Sequence, residues 1–294
     1  MPESHVAAPI SGRISACVIA RNEERTIARA LKSLAFADEI IVIDAQSADR
    51  TREIASGLAT RVIENPWSGF ANQRNVGLSH CRGDWVFFLD SDEEATPELG
   101  ARLKRIASEP PAKHPACYSI QRIEYFLGKE LRYGPGNPSH QWRFFRREGV
   151  RFEGEVHEFP RFNGPVGMIE EPIRHNPDLG IDRFLSKLNH YTTIEALERF
   201  ALGSRTTLFH AFGTFFTTLF KNGVRYRGFL NGRVGFVLTV LESISRVVRH
   251  LKLWVLWQVH DGKIRMDLGV KLPPPGSANP LSKAELERPV WKGP

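Results

Sequence analysis

Short apolar runs alternate with stretches of helical periodicity up to residue 90, and this alternation restricts the fold more than any other feature of the sequence. Each run is brief and nearly uninterrupted, as strands buried on both faces of a parallel sheet are. The runs span 14–20, 39–44, 61–64 and 85–90, and helical spacing is found at 24–35, 49–58 and 72–80. The order βαβαβαβ predicts an α/β domain with a parallel sheet covered by helices and ligand sites at the carboxyl ends of its strands.

The pattern changes from about residue 116 onward. Long, aromatic, strand-like segments occupy 116–125, 141–147 and 150–159, which predicts a mixed or antiparallel extension of the sheet. Helix is predicted again over 181–202, and the proline-rich stretch 271–280 predicts a mobile tail. We therefore predict four parts: an N-terminal tail at 1–12, the α/β domain at 13–180, a helical extension at 181–270 and a flexible tail at 271–294.

Carboxylates stand where the strands of this domain end. Asp90 and Asp92 directly follow the apolar residues of the strand at 85–90, within reach of one divalent cation. Hard oxygen ligands of this kind bind Mg²⁺ or Mn²⁺ and share the ion with a diphosphate. Asp44 ends the strand at 39–44, where a ligand or a turn would need a carboxylate. The alternative interpretation of Asp90 and Asp92 is an Asx turn that caps the next helix.

The motifs at these strand ends resemble those of family 2 glycosyltransferases, which have the GT-A (nucleotide-diphospho-sugar transferase) fold. Four motifs stand in the family's order: Ala20 to Glu23, Asp44 to Thr51, Ala71 to Gly77 and Leu89 to Asp92. Gln46 occupies a position where glycine is frequent, and Ala48 one where threonine is. The resemblance implies that the following residues bind a nucleotide sugar: Ala20, Asn22, Glu23, Asp44, Arg74, Asn75, Asp90, Ser91 and Arg143.

The same resemblance implies a divalent cation, Mn²⁺ or Mg²⁺, held by Asp92 with Asp90 and His175. A transferase also needs a base to deprotonate the acceptor hydroxyl. Glu158 is our candidate, because the apolar residues beside it could raise its pKa, and Glu155 is the rival. The alternatives are that these acids alternate along a solvent-facing strand, that His175 is structural, and that Arg143 is an exposed strand cation rather than a group that neutralises phosphate.

The C-terminal half resembles the lipopolysaccharide inner-core subgroup of that family, whose members add β-glucose to the first heptose. The resemblance lies in 184–193, 226–235 and 250–254, with Asn231 where an aspartate is expected. It implies an inverting transferase that moves a hexose, with glucose expected, from a UDP-sugar to a hydroxyl of a lipid-linked phosphorylated glycan in lipopolysaccharide core biosynthesis. A polyprenyl-phosphate glycosyltransferase is the close alternative.

Positive charge is concentrated in one segment. Residues 199–260 contain nine Lys and Arg against one acid, Glu242, a net charge of +8 in a chain whose total is +7. Apolar residues from Val234 to Val255 recur at helical spacing, which predicts an amphipathic helix lying on an anionic membrane surface, or else a helical cap on the α/β domain. The longest stretch free of charged residues, 206–220, is shorter than the roughly 20 residues of a membrane span.

These features predict a cytoplasmic protein associated peripherally with the inner membrane. The 3 cysteines lie far apart, which suits a reducing compartment. A non-catalytic protein that binds anionic lipid or nucleic acid through 199–260 is the alternative of another class. This alternative does not explain the carboxylates at the strand ends. We expect no nucleic acid partner.

Overall fold

The computed structural model of the chain describes residues 12–110, 113–135, 137, 139–154, 159–177 and 180–266. The described residues form two compact units, one from 12–130 with 139–177 and the other from 131–137 with 180–266. The predicted base Glu158 and its rival Glu155 lie outside the described residues, as does the predicted tail at 271–294.

The first unit begins with the predicted alternation of strands and helices. The strands β1 (Ile14–Ala20), β2 (Glu39–Asp44), β3 (Arg61–Glu64) and β4 (Trp85–Asp90) pair in parallel in the order β3-β2-β1-β4. The helices between them are α1 (Ile27–Ser33), α2 (Thr51–Ser56) and α3 (Phe70–His80). This confirms the βαβαβαβ prediction, with differences of up to three residues at the helix starts.

The sheet then continues with strands of both directions. The further elements are β5 (Glu93–Ala95), α4 (Pro97–Ala107), β6 (Cys117–Phe126), β7 (Lys129–Glu130), β8 (Ser139–Arg146), β9 (Arg151–Glu153), β10 (Phe159–Arg161) and β11 (Val166–His175). Among the described residues the order of the main sheet is β3-β2-β1-β4-β8-β6-β11-β5, with β7 paired to β6. Strands β9 and β10 form a separate two-stranded sheet. Because β8 is antiparallel to β4 and β6 while β11 is parallel to β6, the sheet is mixed, as predicted.

Large apolar side chains fill both faces of this sheet. Trp85 and Phe144 stack at 4.7 Å on one face, and Phe88 and Phe145 pack on the other. The helix α3 approaches β1 so closely that a Cβ atom on Gly77 would lie 2.3 Å from Cys17 Sγ. The glycine that ends the third sequence motif is therefore required by packing.

The second unit is helical. Its elements are α5 (Ile181–Ala201), α6 (Leu208–Phe220), a π-helical turn (Lys221–Arg225), a 3₁₀ turn (Gly228–Asn231) and α7 (Gly232–His260). Phe200 of α5 and Leu253, Leu256 and Trp257 of α7 form its apolar core. Within the part of the chain that the structure describes, no helix is long and apolar enough to cross a membrane.

Asn231 has a structural role in this unit. Its Oδ1 accepts hydrogen bonds from the backbone N–H groups of Arg132 (2.9 Å) and Tyr133 (3.2 Å), and its Nδ2 donates to the Tyr133 carbonyl (2.7 Å). An ionised aspartate could not make the last bond, because a carboxylate only accepts. The asparagine that departs from the subgroup pattern is thus matched to the backbone that it contacts.

The most exposed aromatic surface lies on a helix other than the one that the sequence pattern indicates. The apolar residues of α7 from Val234 to Val255 are mostly half-buried, and α7 packs against both α5 and α6. On α6 the side chains Phe209, Phe212, Phe216 and Phe220 are 94%, 58%, 68% and 64% exposed. Their spacing puts them on one face of the helix, and we call this set the phenylalanine row.

Candidate functional site

Hydrogen bonds join the loops that follow β1 and β2 into one structure. The backbone N–H of Asn22 donates to Ser47 Oγ (3.0 Å), while Asn22 Oδ1 accepts from the N–H of Ala48 (2.8 Å). The N–H of Glu23 donates to Thr51 Oγ1 (2.7 Å). The first two sequence motifs therefore form a single surface at the carboxyl edge of the sheet.

Two backbone conformations in these loops explain features of the motifs. Asn22 and Gln46 have φ values of 56° and 57°, in the left-handed region that favours glycine. Glycine is frequent at the Gln46 position in the family because it adopts a positive φ without strain. Ala48 contributes its backbone N–H to the contact with Asn22, so the missing threonine side chain does not break it.

Asp44 presents a carboxylate oxygen with unmet hydrogen-bonding capacity. The residue is fully buried, at 0% exposure, and its Oδ2 accepts from the N–H of Ser47 (3.1 Å). Its Oδ1 has no hydrogen-bond partner among the described residues. The neighbouring Ala20 is buried as well, with its carbonyl bonded to the N–H of Ala45 (2.8 Å). A buried acceptor without a donor is costly, so this position suits a ligand that brings an N–H or O–H group.

Asp90 lies between two arginines. Arg143 Nη1 and Nη2 donate to Asp90 Oδ1 (3.1 Å) and Oδ2 (2.5 Å), and Arg74 Nη2 donates to Oδ1 (2.9 Å). Burial alone would raise the pKa of Asp90, but the charges of Arg143 and Arg74 outweigh it and hold that pKa well below its usual range. Asp90 is therefore ionised and fixed in orientation.

A buried glutamate extends this cluster. Glu93, at 0% exposure, accepts from Arg143 Nη2 (2.8 Å) and Arg122 Nη1 (3.2 Å), and its Oε2 accepts from the N–H of Asp90 (3.0 Å). Burial and the charge of Asp90 raise the pKa of Glu93, against the pull of Arg143. Glu93 and Arg122 were not predicted, because nothing in the pattern of charges around residue 93 distinguishes a buried carboxylate from an exposed one.

Asp92 lies at the other end of the same cluster, beside a histidine. His175 Nε2 is 3.3 Å from Asp92 Oδ2, and His175 Nδ1 is 2.5 Å from Glu124 Oε2. Burial would lower the pKa of His175, yet the two carboxylates raise it to about 9. Glu124, whose pKa is lowered by His175 and Arg122 against the effect of burial, sets the orientation of the ring. Glu124 was not predicted.

The fit of these residues to a divalent cation is partial. Among the described residues, no group of three or more His, Cys, Asp and Glu side chains is arranged to hold a metal ion. Both oxygens of Asp90 accept from arginines, so its contacts do not suit the predicted role as a metal ligand. Asp92 and His175 do fit, because Mg²⁺ and Mn²⁺ sites in transferases often use few protein ligands and complete their shell with water and substrate phosphates. The cation would displace the proton of His175 Nε2, since only a neutral imidazole binds a metal.

A family model described as glycosyl transferase family 2 matches residues 15–163, which is half of the chain. The chain belongs to glycosyl transferase family 2. The predicted α/β fold of the GT-A type, with a mixed central sheet and C-terminal helices, is confirmed.

Curated relatives extend the similarity over most of this glycosyltransferase. It is 28% identical over 257 residues to an uncharacterized glycosyltransferase of Rickettsia conorii, covering 83% of this chain and 90% of that protein. It is 28% identical over 261 residues to the lipopolysaccharide core biosynthesis glycosyltransferase LpsC of Rhizobium meliloti, covering 81% and 93%. Among solved structures it is similar to S. aureus TarS 1-349 in complex with UDP-GlcNAc, with 16% identity, a TM-score of 0.42 and coverage of 85% and 92%.

The predicted nucleotide-sugar residues of this glycosyltransferase divide into two groups. Asn22, Glu23 and Asp44 line the edge formed by the β1 and β2 loops, as expected from their strand ends. Arg74 and Arg143 instead contact Asp90, and Arg143 is buried, so its interpretation as an exposed strand cation is wrong.

Asn75 and Ser91 complete the predicted set. Both polar atoms of the Asn75 side chain contact the backbone of Phe152, Oδ1 accepting at 2.8 Å and Nδ2 donating at 2.9 Å. Ser91 is buried between Asp90 and Asp92. A direct nucleotide contact of either residue stays a prediction. The hydrogen bonds of Asn75 also attach β9 to α3.

Proposed function

We propose that this glycosyltransferase moves glucose from a UDP-sugar to a hydroxyl of a lipid-linked phosphorylated glycan, with inversion at the anomeric carbon, in lipopolysaccharide core biosynthesis. The observation that carries the proposal is the buried Asp44 with its unpaired Oδ1, at the same sheet edge as the strand that leads to Asp90 and Asp92. Support for the pathway comes from LpsC of Rhizobium meliloti, which this chain matches over 93% of its length.

The β1 and β2 loops are the proposed site of the nucleotide. Asp44 Oδ1 accepts a hydrogen bond from an N–H or O–H group, and uridine has one ring N–H and two ribose hydroxyls. Asn22 and Glu23 stand in the adjoining loop, and their bonds to Ser47, Ala48 and Thr51 fix its shape before any ligand binds. Such preorganisation favours binding because less conformational entropy is lost.

Asp92 and His175 are the proposed ligands of Mn²⁺ or Mg²⁺. When bound, the cation neutralises the diphosphate and makes it a better leaving group. Glu124 holds His175 through Nδ1 and leaves Nε2 directed at Asp92. Arg74 and Arg143 hold Asp90 ionised, so that its partly exposed carboxylate, 36% accessible, can accept hydrogen bonds from sugar or ribose hydroxyls.

Glu158 is the proposed general base. It takes the proton of the acceptor hydroxyl while that oxygen attacks the anomeric carbon from the face opposite the diphosphate. The bond to the diphosphate oxygen breaks as the new glycosidic bond forms. An α-linked donor therefore gives a β-linked product.

The proposed location is the cytoplasmic face of the inner membrane, with peripheral attachment. The phenylalanine row of α6 supports this, because four exposed aromatic side chains on one helical face are typical of an interfacial helix. The positive charge of 199–260 would attract an anionic leaflet.

Transfer of labelled glucose from UDP-glucose to two acceptors tests the proposed reaction. One acceptor is a heptose-containing inner-core lipid and the other is polyprenyl phosphate. A hydroxyl acceptor needs a base, so Glu158→Gln should reduce transfer by about 10²-fold or more. The exposed Glu148→Gln serves as the matched control and should leave the rate unchanged. Transfer to polyprenyl phosphate that is insensitive to Glu158→Gln would contradict the proposal in favour of a carrier-lipid transferase.

A further inference from the structure

The helical unit contains a cleft of about 780 Å³, and none of the residues assigned above to the nucleotide, the cation or the base lines it. Residues of α5, α6, the π-helical turn and α7 line it. Its charged lining residues are two lysines, two arginines and two glutamates: Lys187, Lys221, Arg246, Arg249, Glu195 and Glu242. The cleft is thus large enough for a head group and carries an excess of positive charge.

Arg249 is the buried cation of this cleft. Its side chain is 9% exposed, its Nη1 donates to Glu195 (2.7 Å), and its Nη2 lies 3.3 Å from His250 Nε2. Its Nε has no hydrogen-bond partner among the described residues. Because Arg249 lines the cleft, the cleft wall contains a buried guanidinium group whose hydrogen-bonding capacity is not fully used.

The positive charge around Arg249 is poorly neutralised. Arg246 is 4.0 Å from Glu195, which already pairs with Arg249, so two arginines share one carboxylate. Glu242, the other acid, is bonded to Asn222 Nδ2 (2.7 Å), and burial raises its pKa. Burial and the nearby charge of Arg249 lower the pKa of Arg199, which is the response expected where cations are crowded.

The cleft and the phenylalanine row lie on largely opposite sides of α6 and approach each other near Phe220, at the C-terminal end of the helix. Thr214, Thr217 and Thr218 of α6 line the cleft, and helical spacing puts the exposed Phe220 beside Thr217, three residues earlier. Lys221, which follows Phe220 directly, also lines the cleft. A lipid whose chains contact Phe220, at the end of the phenylalanine row, can therefore place its head group at the cleft edge formed by Thr217 and Lys221.

We propose that this cleft binds the phosphate monoester head group of a membrane lipid through Arg246, Arg249 and Lys221. Guanidinium forks match phosphate oxygens in pairs, and a monoester offers more charge and more acceptors than a diester. Because the acceptor of the proposed reaction is a phosphorylated lipid-linked glycan, the cleft would hold that substrate's phosphate. Only this assignment of the phosphate to the acceptor substrate rests on the proposed function.

Vesicle binding by the full-length protein tests the cleft without any transfer reaction. The probes are phosphatidylcholine vesicles that contain phosphatidic acid, a monoester, or phosphatidylglycerol, a diester, matched for total charge. The cleft variant is Lys221→Gln with Arg246→Gln, and both residues are exposed, which favours folding. The control variant is Arg225→Gln with Arg233→Gln, which removes the same charge from exposed positions outside the cleft lining.

We expect the unaltered protein to prefer phosphatidic acid, and the cleft variant to lose that preference by about 10-fold or more. The control variant should weaken binding to both anionic vesicles by one common factor. Equal binding of the unaltered protein to the two vesicles, or equal behaviour of the two variants, would overturn the inference. Asp92→Asn should leave the preference intact, which separates failure of the cleft from failure of the proposed transferase.

Inorganic phosphate tests the source of the anion. If it raises the thermal midpoint of the unaltered protein and not of the cleft variant, while the vesicles show no head-group preference, the cleft is a site for free phosphate and the lipid assignment is overturned. If it competes with phosphatidic acid vesicles for the unaltered protein, the lipid assignment is supported.

Discussion

Arg143 donates hydrogen bonds to both carboxylate oxygens of Asp90, from Nη1 to Oδ1 at 3.1 Å and from Nη2 to Oδ2 at 2.5 Å. Since Arg143 also donates to the fully buried Glu93, removing it leaves two carboxylates without their main partner. We expect Arg143→Ala to lower the free energy of unfolding by about 3–5 kcal/mol in urea titrations.

Arg151→Ala is the matched control for Arg143→Ala. Arg151 also pairs with a glutamate, Glu153, but its side chain is 72% exposed. Its removal should leave the free energy of unfolding almost unchanged, because water screens such pairs. Equal losses for the two variants would show that the Asp90 cluster does not stabilise the fold.

Asp44→Asn should separate stability from function. The side chain is buried with Oδ1 unpaired among the described residues, and an asparagine of the same shape keeps one oxygen to accept from the N–H of Ser47. We expect the ligand-free variant to be as stable as the unaltered protein or more so, in thermal unfolding, while its affinity for UDP falls by about 10-fold or more. A large loss of stability with normal UDP affinity would assign Asp44 a purely structural role.

The phenylalanine row should control attachment to membranes. Phe212→Ser combined with Phe216→Ser removes two side chains that are 58% and 68% exposed, so the fold should tolerate the change. Binding to anionic vesicles in sedimentation assays should fall by about 10-fold or more. Met168→Ser, at a 65% exposed position of the other unit, is the control and should have no effect. Unchanged vesicle binding by the α6 variant would exclude the phenylalanine row as the membrane contact.

His250 should make stability depend on pH below neutrality. Burial and the charges of Arg249 and His210 lower its pKa to about 4, from an ordinary value of 6.5. Between about pH 6.5 and 4, His250 is therefore protonated in the unfolded chain and neutral in the folded chain. The contribution of the neutral His250 to stability is complete above that range and is lost as pH falls through it, because protons bind preferentially to the unfolded chain. Thermal midpoints should fall less steeply over this range in His250→Gln; identical slopes would contradict the assignment.

Much of the fold could be predicted because buried parallel strands are recognisable as apolar runs. The strands β1 to β4 are of this kind, and their order along the chain predicted both the parallel sheet and the position of Asp44, Asp90 and Asp92. Strand β5 was not predicted, since Glu93 and Glu94 make two of its three residues acidic. Strand β11 was not predicted either, because it lacks a continuous apolar run.

The contacts within the site could not be predicted in the same way. Arg74, Asp90 and Arg143 lie on α3, β4 and β8, and their meeting depends on the packing of a helix and on a strand that joins β4 from a distant part of the chain. The sequence pattern identified the acids, but their partners follow from tertiary structure. The exposed phenylalanines of α6 could not be predicted for the same reason. The packing of α6 against α7 determines which aromatic residues remain exposed.

Calorimetric titration of UDP-glucose, with Mn²⁺ or with EDTA, tests the central claim that the edge formed by β1, β2 and β4 is a metal-assisted nucleotide-sugar site. The unaltered protein should bind only with Mn²⁺, and Asp92→Asn should weaken that binding by about 10-fold or more. Asp182→Asn, an exposed aspartate of α5, is the control and should bind normally. Metal-independent binding, or binding that Asp92→Asn leaves unchanged, would contradict the proposed site.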